Sequence, residues 1–347
     1  MKAWVLREIG DFSLQEVEKP TPEAGEVLVR IHAAGICGSD IPRIYRTGTY
    51  HYPLIPGHEF AGEVLETGCG VDKSLLGKRV GVFPLIPCKK CDPCQKKYFE
   101  MCRDYSYIGS RQAGAFAEYV RVPEWNLIEL PQNVSYEAAA MLEPMAVAVH
   151  AMRRVNPQPE DKVVICGVGT IGMLLLMMLL EAGIKQVLVI GNKAFQRAQV
   201  LKLGLAEDFY LDARSQNINE LVMEKTGSGA DVFFECVGRN ETVVQAIDLT
   251  APAGRVMLVG NPYGDMQLDK GVYWKILRNQ LSVTGTWNSS FAHDDDDDWH
   301  YVLERLAKER IRPETLISQK YSLAEMLPGF ELMRDKTEDY IKVMGIV

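Results

Sequence analysis

Positive charge is the first thing this sequence lacks. Lys and Arg number 38 against 46 Asp and Glu, leaving a net charge of −8. A chain that tracks nucleic-acid phosphates needs the opposite balance, so no nucleic-acid partner is expected. Long apolar runs are missing too. The longest, Ile171 to Leu180, falls well short of the roughly 20 residues a membrane-spanning helix requires. No membrane partner is expected either. The opening Met1-Lys2-Ala3-Trp4-Val5-Leu6-Arg7-Glu8 is too short and too charged to be the apolar stretch of a signal peptide. The expected address is therefore the cytoplasm, where thiols stay reduced and clustered cysteines read as metal ligands before disulfides. Internal repeats of solenoid period are absent. The one low-complexity patch is Asp294 to Asp298. Its carboxylates suit the solvated, positive end of a helix over Trp299 to Ala307.

What is present points to two domains, since 347 residues exceed one ordinary core. Residues 1–150 carry short β-branched runs such as Val27-Leu28-Val29-Arg30-Ile31 and Arg79-Val80-Gly81-Val82-Phe83, broken by Gly and Pro. That pattern predicts a mostly β domain. Near residue 155 the pattern changes. Lys162-Val163-Val164-Ile165-Cys166 reads as a buried strand, followed by a long apolar helix and further strands ending near Val189, Phe234, Val259 and Gly285. Alternating strands and helices predict a parallel sheet with helices on both faces, here over 151–287.

Cys88-x2-Cys91-x2-Cys94-x7-Cys102 puts four thiols within one short loop. A fully thiolate tetrahedral shell leaves no open position, so this reads as a structural zinc site. An iron–sulfur cluster is the rival occupant of such spacing. Cys69, Cys166 and Cys236 have no partners at ligand spacing and read as small buried or loop residues.

A second constellation is dispersed. Cys37 follows a predicted strand in Gly35-Ile36-Cys37-Gly38-Ser39-Asp40, Gly57-His58-Glu59 comes later, and Leu142-Glu143-Pro144 lies far downstream. A thiolate, an imidazole and a carboxylate leave room for a substrate oxygen, the open-position pattern of catalytic zinc.

Gly167-Val168-Gly169-Thr170-Ile171-Gly172 directly follows a strand and opens a helix. Its glycines permit the tight turn and let backbone approach a dinucleotide pyrophosphate at the helix N-terminus. The next strand should end in an acidic residue if NAD ribose is bound. Gly191 stands there instead, followed by Asn192, Lys193 and, one turn on, Arg197. A carboxylate would repel a ribose 2′-phosphate, whereas glycine, an amide and cations accommodate one. NADP(H) is therefore expected ahead of NAD(H). The alternative leaves Lys193 and Arg197 as solvated helix cations, with NAD held by a weaker ribose anchor.

Taken together, Gly57-His58-Glu59, the four-cysteine loop, Leu142-Glu143-Pro144 and the glycine fingerprint resemble, in their order and over essentially the whole chain, the zinc-dependent medium-chain dehydrogenase/reductase family. Within it the resemblance is to the polyol dehydrogenase branch. It implies an α/β protein: a GroES-like, mostly β catalytic domain over 1–150, rejoined by 288–347, and a doubly wound Rossmann domain over 151–287. It implies two zinc ions per chain, and an association into homodimers or homotetramers through the edge of the sixth Rossmann strand. Cys37 and His58 then match zinc ligands, with Glu143 or Glu59 as the carboxylate. Ser39 matches the hydroxyl that carries the alcohol proton away, and Asp40 the carboxylate that orients the His58 ring. One position departs from the family. Many relatives carry a proton-relay histidine where this chain has Pro42; nearby His51 is a substitute candidate, although a loop histidine is the plainer reading.

The segments 37–44 and 107–111 resemble enzymes acting on polyol phosphates such as galactitol 1-phosphate. Arg43, Arg46 and Arg111 could then fork a phosphate, and Tyr50 could line the polyol site. The expected function is hydride transfer between a secondary alcohol of a polyol or polyol phosphate and a nicotinamide cofactor. Rivals are a threonine or other secondary-alcohol dehydrogenase of the same fold, and a non-catalytic cofactor-binding protein with a structural or regulatory role. The last would be expected to lose Cys37, His58, Ser39 and Glu143, all of which are present.

Overall fold

The computed structural model describes residues 1–347. The chain forms two compact units, Met1–Pro144 with Ser290–Val347, and Met145–Ser289. The first crossing falls inside the helix Leu142–Val155. It comes a little before residue 150, where the sequence pattern suggested it, because a continuous helix carries the chain across.

The first unit is built on a seven-stranded sheet. Its long central strand Glu26–Ile36 pairs antiparallel with Glu59–Thr67 on one side and Lys342–Ile346 on the other, and Tyr119–Pro123 also pairs with it. Thus the C-terminal strand lies beside a strand from the first forty residues. Behind the sheet, Trp4, Phe12, Phe116 and Phe330 meet edge-on or tilted at 4.9–6.2 Å between ring centroids. Aromatic pairs at such separations add to the burial of their large apolar surfaces.

The second unit is a six-stranded parallel sheet. In space its strands run Tyr210–Asp212, Gln186–Gly191, Lys162–Cys166, Ala230–Glu235, Thr250–Leu258, Ser282–Gly285. In chain order that is 3-2-1-4-5-6, the doubly wound arrangement in which ligands bind at the carboxyl ends of the strands near the order reversal. The central strands are apolar along their length because helices cover both faces. The helix Thr170–Glu181 is buried from Gly172 to Leu179, as expected of a helix that is apolar all round.

The acidic run differs from the expectation of a purely solvated helix start. The helix is Asp298–Ala307, and Asp297 caps it by accepting from the His300 amide at 2.9 Å. Asp297 and Asp298 are buried. Asp298 accepts from the Ser290 amide and hydroxyl, and Asp297 from the Ala292 amide. Asp294 pairs with Lys97 of the cysteine loop at 3.0 Å. The run therefore ties down the returning segment rather than only facing water. No helix is long and apolar enough to cross a membrane.

Candidate functional site

Three strand ends converge in the first unit. Glu26–Ile36 delivers Cys37, Glu59 opens the neighbouring strand just after His58, and Lys342 opens the strand on the other flank. Ligand atoms of Cys37, His58 and Glu59 all lie within 4.8 Å of one another. Gly57 makes this possible. Its φ is +102°, and the glycines Gly109 and Gly114 pack against it so closely that an added Cβ on either would lie 2.3 or 2.2 Å from the Gly57 carbonyl oxygen. A Cβ on Gly57 itself would lie 2.9 Å from Phe116, so glycine is required at 57 by its φ and at 109 and 114 by their approach to it.

Asp40 is fully buried and collects three neighbours. Its Oδ2 accepts from the Cys37 amide at 3.0 Å, its Oδ1 accepts from Arg43 Nη1 at 2.8 Å, and Oδ1 lies 3.5 Å from His58 Nδ1. Burial raises the Asp40 pKa, but His58 and Arg43 outweigh it and hold the carboxyl below its usual range. His58 is pushed well above its ordinary value, against the burial that opposes charging it, by the Asp40 and Cys37 charges. His58 Nδ1 is buried and makes no hydrogen bond. With Nδ1 turned to Asp40, Nε2 is the nitrogen left for a metal beside the Cys37 thiol and the Glu59 carboxylate, and a thiol, an imidazole and a carboxylate fit a zinc donor set.

Glu59 has a partner that sequence reading missed. Lys342, like Glu59 only 2% exposed, forms an ion pair with Glu59 Oε2. An added Cβ at Gly35 would lie 2.4 Å from that oxygen and 2.7 Å from Lys342 Cε, so the absent side chain at 35 is the room the pair occupies. Nothing local in the sequence marks Lys342, because its partner lies 283 residues away. Glu143 stands outside the 4.8 Å group. Its Oε1 accepts from the Tyr107 hydroxyl at 3.3 Å, and burial pushes its pKa up to about 7.

Ser39 donates its hydroxyl to Cys37 Sγ at 3.3 Å. It also lines a cavity of about 380 Å³ with Arg43, Thr47, Gly48, Thr49 and Tyr50. Of the arginines expected near substrate, Arg43 is thus on the cavity wall while also serving Asp40. Arg46 is exposed. Arg111 is not among the lining residues. Its Nη1 donates to the Tyr105 carbonyl at 2.9 Å and its Nη2 to the Tyr50 hydroxyl at 3.3 Å. His51 Nε2 is bonded to the Arg111 carbonyl at 3.1 Å, the plain loop role. Pro42 ends a short helical turn, Asp40–Pro42.

The four cysteines form a second cluster, with ligand atoms within 4.8 Å. Cys91 Sγ lies 3.5 Å from Cys94 Sγ and 3.9 Å from Cys102 Sγ. Tetrahedral zinc with thiolates at about 2.3 Å sets its sulfurs roughly 3.8 Å apart. A disulfide needs about 2.05 Å, and all eight cysteines are free. Backbone amides of Arg103 and Cys94 hold the Cys91 thiol down to about 6, whereas burial pushes Cys94 and Cys102 up. Trp125 anchors the loop, edge-on to Phe99 at 5.1 Å and under the Lys89 ammonium at 4.6 Å. Of the remaining cysteines, Cys69 is exposed and Cys166 buried.

In the second unit the glycine fingerprint occupies the turn between Lys162–Cys166 and Thr170–Glu181. Each glycine has its own reason. Gly167 has φ +96° and an added Cβ would strike Val237 at 2.5 Å; one on Gly172 would lie 2.0 Å from the Gly167 carbonyl oxygen; Gly169 faces open space. The first permits the turn, the third the close helix packing, and the second leaves a place for a pyrophosphate. Thr170 and Ile171 open the helix behind them. Gln196 bridges this turn to the next strand end: it donates to the Val168 carbonyl and accepts from the Asn192 amide, both at 3.2 Å.

Gly191 ends Gln186–Gly191, and the space beside it is filled. A Cβ there would lie 2.5 Å from the Tyr210 hydroxyl oxygen, which donates to the Lys193 carbonyl at 3.1 Å. Arg197 pairs with Glu207. Arg214 pairs with Asp212 at 2.8 Å and, by hydrogen bonding, holds that carboxyl down to about 2. Tyr210 was not singled out from sequence; its place at the start of the third strand was the available signal.

These two metal-ligand clusters and this glycine turn define a class, the zinc-binding alcohol dehydrogenases, and sequence comparison agrees. Residues 23–132 match the alcohol dehydrogenase GroES-like domain, and residues 170–308 match the zinc-binding dehydrogenase domain. The chain belongs to the zinc-dependent medium-chain dehydrogenase family, and it is an oxidoreductase. It is 33% identical over 297 residues to galactitol 1-phosphate 5-dehydrogenase of Escherichia coli (strain K12), covering 86% of each chain. Two solved structures resemble it with a TM-score of 0.91 and 28% identity, each covering 100% of this chain and 99% of the other. One, from Sinorhizobium meliloti 1021, was crystallised bound to NADP; the other, an alcohol dehydrogenase from E. coli CFT073, with NADH.

Proposed function

We propose that this enzyme oxidises a secondary alcohol of a polyol phosphate, in the manner of its galactitol 1-phosphate-acting relative, with NADP(H) preferred over NAD(H). One observation carries the reading. Ser39 touches the thiol of Cys37 and at the same time lines the cavity that Arg43 also faces.

The residues divide the work. Cys37, His58 and Glu59 form the donor set for one zinc, with Glu143 the alternative carboxylate. The four cysteines form the set for a second, structural zinc, so two ions per chain are expected. Bound at the first set, zinc would supply Lewis-acid polarisation of the substrate hydroxyl, and the nicotinamide would accept the hydride. Asp40 fixes the His58 ring and the Cys37 amide together, as carboxylates behind ligating imidazoles do. Ser39 carries the hydroxyl proton away from the metal set toward the cavity. Arg43 gives one nitrogen to Asp40, and its fork on the wall suits a phosphate dianion. Tyr50 contributes the outer wall.

For the cofactor, Gly167, Gly169, Thr170, Ile171 and Gly172 receive the pyrophosphate, and Asn192, Lys193 and Arg197 receive the adenosine end. The absence of an acid at 191 favours NADP(H), and the Tyr210 ring beside Gly191 keeps a side chain out.

The edge strand Ser282–Gly285 exposes Val283, and the helix Lys270–Arg278, with no buried residue, exposes Tyr273, Trp274 and Leu277. An open strand edge beside apolar side chains is a template for another strand. A second copy of the chain, paired edge to edge about a two-fold axis, covers both at once. Val283→Asp should convert the dimer to monomer by light scattering; an unchanged mass would reject this surface.

The functional test is initial-rate reduction of each cofactor with galactitol 1-phosphate, sorbitol 6-phosphate, free sorbitol and threonine. Turnover of a phosphate ester is expected. Turnover of threonine or free sorbitol alone would reject the phosphate reading.

A further inference from the structure

The cavity beside Ser39 has a wall that is held from behind. Residues 47–50 form one side of it, and they belong to a loop with no regular hydrogen-bond ladder beyond Thr47. A loop of that kind is mobile unless other groups tie it down. Two ties are local, Thr47 Oγ1 to the Pro42 carbonyl at 3.2 Å and the Thr49 amide to the Tyr52 hydroxyl at 3.4 Å, and the others run to one neighbouring segment. Thr49 Oγ1 donates to the Ser110 carbonyl at 2.8 Å, and His51 Nε2 bonds the Arg111 carbonyl at 3.1 Å. The Arg111 side chain supplies the rest. Its guanidinium carbon lies 4.3 Å from the Tyr50 ring centroid and 4.2 Å from that of Tyr105, so it stacks on both rings. From there it donates to the Tyr50 hydroxyl and the Tyr105 carbonyl. Tyr50 is 70% exposed, so little else holds it.

We propose that Arg111 is the positioning residue of this cavity: it clasps Tyr50 against Tyr105, fixes the 47–50 wall, and does not itself touch substrate. The chemistry favours arginine for this. A planar guanidinium stacks on aromatic faces and presents several donors in a fixed fork, whereas an ammonium does neither. Two of its nitrogens are spent on Tyr105 and Tyr50, and Arg111 is not among the residues that line the cavity. The proposal rests on the preceding reading only in taking the cavity as the place where substrate binds.

Arg111→Ala, Arg111→Lys and Tyr50→Phe test it with two independent readouts. The first is amide hydrogen exchange of the protein as purified. The Thr49 amide, which donates to the Tyr52 hydroxyl at 3.4 Å, should exchange at least tenfold faster in Arg111→Ala and Arg111→Lys, while the amides of the strand Glu26–Ile36 stay unchanged. Tyr50→Phe, which keeps the ring and loses one hydrogen bond, should show a smaller change. The second is kinetics. KM for galactitol 1-phosphate and for free sorbitol should rise by the same factor, tenfold or more, with kcat little changed. A small secondary alcohol such as 2-propanol, which has no polyol chain to lay against the wall, should be unaffected. Unaltered exchange of the Thr49 amide in Arg111→Ala would overturn the clasp. So would a loss confined to the phosphorylated substrate, which would make Arg111 a phosphate ligand. If the wild type turns over no polyol, the functional reading fails, and the exchange result still decides the clasp.

Discussion

Replacing Gly191 by Asp tests what the second strand end does. In NAD-binding folds of this type an acid at that position bonds the ribose hydroxyl, so the simplest expectation is that the single change converts the enzyme. The structure predicts otherwise. The new Cβ would lie 2.5 Å from the Tyr210 hydroxyl oxygen and 2.8–2.9 Å from two ring carbons. The ring must move, and its hydrogen bond to the Lys193 carbonyl must break. Overpacking of this kind costs about 1–3 kcal/mol, and the hydrogen bond adds about 1 kcal/mol. Electrostatics acts separately. A carboxylate roughly 6 Å from a phosphate charge, at an effective dielectric near 20, is repelled by about 3 kcal/mol, on the order of 100-fold in binding. Gly191→Asp should therefore lower Tm and reduce kcat/KM with both cofactors, NADP most. Adding Tyr210→Ala removes the obstruction. In the double variant kcat/KM with NAD should recover while NADP stays depressed on the order of 100-fold, a coupling that the two single changes do not add up to. Scanning calorimetry and initial rates with each cofactor measure both parts. If Gly191→Asp leaves NADP use intact, or if Tyr210→Ala brings no recovery with NAD, the steric and electrostatic reasoning is wrong.

Two further predictions concern the metal-ligand cluster. Lys342→Met leaves Glu59 buried without its ammonium, and removing one partner of a buried pair costs about 3–5 kcal/mol. Because a zinc ion would replace that positive charge, the loss in Tm should be larger after chelation than in the zinc-loaded protein; equal losses in both states would show that Glu59 does not face the metal. Asp40→Asn keeps the shape but weakens the hold on His58 and Arg43, and zinc affinity by chelator competition should fall about 10–100-fold. An unchanged affinity would remove Asp40 from the support of the site.

The fold was largely legible because its signals are local. The strand run Lys162–Cys166, the glycine turn and the apolar helix after it are contiguous in sequence, and the structure holds them in that order. The spacing of the four cysteines likewise brings them together through a loop of fifteen residues, from Cys88 to Cys102. What could not be read depends on pairing across the chain. Lys342 looks like one more cation until the C-terminal strand lays it against Glu59. Gly191 looks like a missing acid, yet the ring of Tyr210 from the next strand fills the place. Arg111 suggests a phosphate fork, and the sequence does not reveal that the rings of Tyr50 and Tyr105 both lie against its guanidinium. The aspartate run looks solvated because sequence alone does not reveal the Ser290 and Ala292 amides that bury two of its carboxylates. In each case residue type was informative about chemistry, and the partner, chosen by the tertiary fold, decided the role.

The proposed function needs two zinc ions with separate jobs in one chain. The most direct measurement counts zinc per chain and turnover in the wild type, in Cys37→Ser and in Cys94→Ser. Two ions are expected in the wild type. Cys37→Ser should keep one ion, its fold and almost no activity, while Cys94→Ser should lose the other ion together with thermal stability. Full activity in Cys37→Ser after loss of an ion, or a wild type that holds a single ion and turns over at full rate, would contradict it.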